Sequence, residues 1–219
     1  MMTQKEIKWG WAWLAVQMLL LPSVVTQLAA PLGSAAVNFL YHFVGFLAVI
    51  LIFHSFLKKA ACTFQKRFKR VLPVLMAALA AYYLAGWLLD TAIGAIDPGF
   101  SNVNDNAIAG LRRGNLLLTA IATVVLAPVS EECLFRGLIF CTAGKHGRLA
   151  AYGLSAAAFA AIHVAGYVGA FPLLRLGLCF VQYLPAGVLL AWAMERTDSI
   201  CTAICMHLVI NAVSLIGIL

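Results

Sequence analysis

Charge is what this sequence has least of. Only 11% of its 219 residues are Asp, Glu, Lys or Arg, while 63% are hydrophobic and the mean hydropathy is +0.96. A water-soluble domain carries roughly 25% charged and about 45–50% apolar residues. This chain therefore cannot cover its surface with polar groups, and lipid is its solvent. Other absences narrow the chemistry. No CxxC pair occurs among Cys62, Cys133, Cys141, Cys179, Cys201 and Cys205. Most of them fall in apolar runs, as small packing residues do, which disfavours disulfide or metal use. Neither GxSxG nor HExxH is present, so the usual serine-nucleophile elbow and paired-histidine zinc helix are missing. The net charge is +7, but no basic face with interleaved aromatics exists, which excludes nucleic acid as a partner.

Long apolar runs are what the sequence does have. About 20 apolar residues cross the ~30 Å hydrocarbon layer, and such runs lie near 9–30, 36–57, 71–89, 115–143, 149–170, 173–194 and 199–218. The expected fold is all-α, a polytopic membrane helix bundle of about seven transmembrane helices forming a single membrane domain over 1–219. Lys5 and Lys8 before an apolar core resemble a signal peptide. The run continues past Pro22 to Ala30 without a clear cleavage site, which favours a retained helix. The one long polar stretch, 90–114, is rich in Gly, Asn and Asp and is expected to be an external loop or a re-entrant cover. Small residues crowd the fifth run (Ser155, Ala156, Ala157, Ala158, Ala160, Ala161), which suits close helix approach in lipid.

Basic residues set the expected orientation, because they are retained on the cytoplasmic side. With the N-terminus cytoplasmic, that side receives eleven: Lys5, Lys8, Lys58, Lys59, Lys66, Arg67, Lys69, Arg70, Lys145, Arg148 and Arg196. The other side receives three, Arg112, Arg113 and Arg175, together with Asp90, Asp97 and Asp105.

Against this background, a few polar residues stand where they are costly. An ionisable side chain at the centre of a spanning helix costs ~2.5–3.5 kcal/mol on insertion scales. The fourth run nevertheless reads APVSEECLFRGLIF. Glu132 and Arg136 are one turn apart, acid first, the better order for an ion pair. Glu131 lies about 100° around the helix from Glu132 and is left to face a pocket. Pro128 removes a helical hydrogen bond upstream, which predicts a kink and free polar backbone near Glu131. His163 ends FAAIH in the fifth run, with Phe159 one turn before it. His207 opens HLVIN in the seventh, with Asn211 one turn after it. His42 and His54 read as packing residues, and His146 falls in a basic loop. Convergence of Glu131, His163, His207 and Asn211 on one buried site is the economical explanation of their placement.

That set suffices for hydrolysis. A carboxylate in a partly dry pocket can take a proton from water, and an imidazole can hold the same water and pass the proton to a leaving amine. A second imidazole and an amide N–H can stabilise the oxyanion. Other readings stay open on the residues alone. Glu131, His163 and His207 could instead be three zinc ligands with water as the fourth. Intramembrane Glu and His also mark ion paths in transporters, although the matching pair of interrupted helices is absent. A non-catalytic immunity or scaffold protein could need the same polar pocket.

Taken together, EECLFR, FAAIH and HLVIN match EExxxR, FxxxH and HxxxN in order on separate apolar helices. They resemble the three motifs of the CPBP family, the type II CAAX prenyl endopeptidase and bacteriocin-processing group. ERTDSICTAICMHLVIN also resembles that family's approach to its last motif. The resemblance covers roughly 115–219, the catalytic part, and leaves the first 114 residues without a signature. It implies an intramembrane endopeptidase of glutamic type, without a metal, in the bacterial cytoplasmic membrane. Glu131 and His163 would activate water and His207 and Asn211 would stabilise the oxyanion, with Glu132, Arg136 and Phe159 supporting the site. The implied partner is a membrane-associated peptide or protein, lipidated or with a hydrophobic C-terminal tail.

Overall fold

Apolar runs bounded by proline, glycine and basic residues become helices, and helices are the only regular elements among the described residues. The computed structural model describes residues 2–217. In chain order the helices are α1 (Gln4–Leu19), α2 (Leu21–Ala29), α3 (Ser34–Ile52), α4 (His54–Lys66) and α5 (Phe68–Ile96). They continue as α6 (Val103–Gly114), α7 (Leu116–His146), α8 (Arg148–Ala165), α9 (Leu173–Thr197) and α10 (Ile200–Gly217). Six of them, α3, α5 and α7 to α10, are long and apolar enough to cross a membrane. The pair Gln4–Leu19 and Leu21–Leu32 makes a seventh span when taken as one bent unit.

Three stretches depart from the sequence expectation. The first span is not one helix from 9 to 30 but bends by 50° at Leu20. Pro22 occupies the first turn of α2; it has no N–H and its ring obstructs the turn before it, so the helix stops and restarts there. The second run ends at Ile52, and the amphipathic α4 begins at His54. The opening turns of α1 and α4 share one acid. Glu6 closes a capping box with Thr3, and its other oxygen accepts from the Phe56 N–H at 2.8 Å. First-turn N–H groups have no helical partner, so a buried carboxylate serving two helix starts joins α1 to α4.

The stretch 90–114 is mostly helical instead of a loop. α5 runs on to Ile96, and α6 starts after Asn102, whose Oδ1 accepts from the N–H groups of Asn104 and Asp105. Asn and Asp at 102–105, which argue for a loop by composition, here cap and open a helix.

α7 is the central element. Half of its most apolar window is buried, against 11% for α3 and α5, so protein and not lipid surrounds the charged motif. The small residues of α8 give close approach to α9. A Cβ on Gly187 would lie 2.7 Å from the Ala156 Cα, and Ser155 Oγ donates to the Phe135 carbonyl at 2.9 Å. Phe135, Phe159, Leu190 and Met206 fill the centre of the bundle. At the basic end, Arg67 pairs with Asp198, Arg148 pairs with Glu195 at 2.6 Å, and Ser199 Oγ donates to the Ala60 carbonyl at 2.8 Å.

Candidate active site

Pro128 determines the local geometry of α7, though not by interrupting it. The backbone on either side takes wide π-turns, over Ile121–Leu126 and Cys133–Phe140. In a π-turn each carbonyl pairs with the N–H five residues on, and the Ala127 N–H accordingly reaches the Ala122 carbonyl. The next carbonyl, that of Thr123, would need the N–H of residue 128, and proline has none. Asn211 Nδ2 of α10 donates to it instead, at 2.8 Å. The freed backbone group thus fixes the last residue of the HLVIN motif.

Glu131, His163 and His207 come from α7, α8 and α10 and meet in space. Glu131 Oε2 lies 3.9 Å from His163 Nε2 and 3.9 Å from His207 Nε2, and it has no hydrogen-bond partner among the described residues. Those separations are too long for direct hydrogen bonds, and one water bridges gaps of that size. His163 Nδ1 lies 2.8 Å from the Phe159 carbonyl. A carbonyl only accepts, so Nδ1 carries the proton and Nε2 turns a lone pair toward Glu131 when the ring is neutral.

Glu132 and Arg136 form the expected ion pair at 2.8 Å, both side chains fully buried. Arg136 also donates to the carbonyls of Ala186 (3.4 Å) and Gly187 (3.2 Å) on α9. The same Glu132 oxygen lies 2.8 Å from His207 Nδ1, a link that helical spacing within one motif could not reveal. Glu132 therefore fixes the orientation of the His207 ring as well as neutralising Arg136. Phe159 joins three of the parts: its ring lies under the Arg136 guanidinium at 4.3 Å, with His163 at 4.7 Å and His207 at 5.6 Å between centroids.

Glu131, His163, His207 and Asn211 all line one cavity of about 1000 Å³. The Glu131 side chain is 12% exposed, into that space. Two wall residues escaped the sequence reading. His42, expected to pack, faces the cavity, whereas His54 is exposed and bonded to the Leu51 carbonyl. Tyr183 of α9 stacks on His163 with centroids 4.2 Å apart, and its hydroxyl meets Asn102, Asn104 and Asp105 at α6. Burial raises the Asp105 carboxyl above its ordinary range, although the Tyr183 hydroxyl bonded to it works the other way. The only sequence signal for Tyr183 is a polar-tipped aromatic beside Gln182 in an apolar run.

As a metal site the set fits poorly. Tetrahedral zinc with ligand bonds of about 2.0–2.2 Å needs donor atoms roughly 3.4 Å apart, against 3.9 Å for both Glu131–His pairs. Among the described residues no three His, Cys, Asp or Glu side chains are placed to hold an ion.

The motif-bearing segment also has recognisable relatives. Residues 113–213, just under half of the chain, match the family described as type II CAAX prenyl endopeptidase Rce1-like. Neither the curated proteins nor the solved structures give a match. The helices long and apolar enough to cross a membrane make this an integral membrane protein, and its motif-bearing segment is similar to intramembrane proteases. Residues 113–213 are thus similar to the Rce1-like group of type II CAAX prenyl endopeptidases.

Proposed function

We propose that the chain hydrolyses a peptide bond of a membrane-associated protein or peptide, using a water activated by Glu131 and His163 and no metal. The observation that carries this reading is Glu131 Oε2, without a hydrogen-bond partner among the described residues and 3.9 Å from two imidazole nitrogens on two other helices. A water held there gives a proton to Glu131 as its oxygen bonds to the substrate carbonyl carbon. His163, whose Nδ1 is occupied by the Phe159 carbonyl, takes the proton at Nε2 and delivers it to the leaving nitrogen as the C–N bond breaks. The products are a carboxylate and an amine.

Oxyanion stabilisation falls to His207 and Asn211. Glu132 at Nδ1 holds the His207 ring with Nε2 toward the site, and an Nε2–H of the imidazolium donates to the developing oxyanion. Asn211 has two amide hydrogens, and Thr123 takes one. The second is available to the same oxyanion. A role as a passive binding protein leaves Glu131 dispensable, so one experiment separates the two. Membranes from cells producing the chain or its Glu131→Gln variant are compared for new protein termini. Termini present only with the parent support hydrolysis, and identical sets from both contradict it.

A further inference from the structure

We propose that the catalytic cavity opens on the non-cytoplasmic face, so that the substrate is an exported or membrane-spanning polypeptide cut from outside, not a lipidated C-terminus held in the cytoplasm. This rests on the hydrolytic reading given above and narrows its substrate class.

Two features together give the side. The first is where the wall comes from. Most of the wall comes from the half of each span remote from its basic end: Gln17 late in α1, Asn38 early in α3, Asp90 late in α5, Thr123 early in α7, His163 late in α8, Gln182 early in α9 and Ser214 late in α10. Leu134, Phe135, Leu190 and His207 reach past the middle. α6 crosses the same end. The second feature is charge. Lys5, Lys8, the six basic residues from Lys58 to Arg70, Lys145, Arg148 and Arg196 all stand at the opposite end, and none of them lines the cavity. Loops of that composition are retained in the cytoplasm. The mouth therefore points away from it, flanked by Asp90 and Asp105.

Depth and polarity say what enters. Along α7 the lining from Thr123 to Glu131 covers roughly 12 Å at 1.5 Å per residue. An extended chain needs about four residues to span that length. The path is not purely apolar, as it would be for a lipid chain. Gln17 Oε1 and Asn38 Nδ2 are buried at the wall without hydrogen-bond partners among the described residues, and an unwound peptide supplies N–H and C=O groups to both.

The native cysteines make the sidedness testable. Cys62 is exposed at the basic end, as is Cys141, while Cys179, nearer the other end, is buried. Ala107 lines the cavity from α6. In intact spheroplasts, a membrane-impermeant maleimide should label Ala107→Cys and leave the unmutated chain unlabelled until the membrane is permeabilised. Labelling of the unmutated chain in intact spheroplasts, or of Ala107→Cys only after permeabilisation, overturns the orientation. The comparison of protein termini between parent and Glu131→Gln then reads the substrate. New termini on the outer side of membrane segments are expected. Glu131-dependent termini on the cytoplasmic side overturn this inference alone, whereas no Glu131-dependent termini overturn the hydrolytic reading and this one with it.

Discussion

Glu132→Gln keeps the shape of a fully buried carboxylate and removes its charge. In the parent, that carboxylate is the only anion among the described residues within 4 Å of Arg136, and it also holds His207 Nδ1. Removing one partner of a buried ion pair costs about 3–5 kcal/mol, because the other is left as an uncompensated charge. Arg136 retains two α9 carbonyls and the face of Phe159, which places the expected loss near the low end, about 3 kcal/mol. For a chain of this size each kcal/mol moves the unfolding midpoint by about 2–4 °C, so Tm in detergent should fall by roughly 6–12 °C. Steady-state abundance should fall with it. Removing the charge from both partners, as Glu132→Gln with Arg136→Leu, should restore most of the stability, since an apolar replacement of a buried pair is often neutral or better. Cleavage should stay low in that double variant, because His207 has no carboxylate to orient it. A Glu132→Gln protein that melts and accumulates like the parent would refute the assignment of Glu132 to the ion pair.

Further variants test other contacts. Asn211→Ala should remove about 2.7–4 kcal/mol of transition-state stabilisation, read as a fall in kcat with little change in KM. Tyr183→Leu removes a ring stacked on His163, and cleavage should drop by about threefold to tenfold on the energy of one aromatic pair. Tyr183→Phe keeps the ring and should retain the rate. Gly187→Val places carbon where Ala156 already stands, and overpacking there should lower stability by about 1–3 kcal/mol, seen as a reduced Tm.

Much of the fold was legible because lipid imposes length and composition on each span. The runs around α3, α5 and α7 to α10 could be read from hydropathy alone, with ends misplaced by several residues. What escaped was local. Pro22 lay inside an apolar run, and composition does not say whether a proline there kinks a helix or ends it. Asn102 and Asp105 looked like loop residues, yet they open α6. At the site, helical periodicity separated Glu131 from Glu132 and paired Glu132 with Arg136. It could not reach across helices, so the contact between Glu132 and His207 and the stack of Tyr183 on His163 came only with the coordinates. The bond from Asn211 to Thr123 depends on a π-turn meeting a proline. The spacing of Thr123 and Pro128 was visible, but the π-turn was not.

The central claim is that Glu131 activates the water and no metal does. Its most direct measurement is the cleavage rate of purified parent and Glu131→Gln proteins, each before and after a strong chelator. Chelation should leave the parent rate unchanged, and the Glu131→Gln rate should be lower by roughly two orders of magnitude or more. Loss of the parent's activity on chelation, with recovery on added zinc, would contradict the metal-free mechanism. Full cleavage by Glu131→Gln would contradict the role of Glu131 itself.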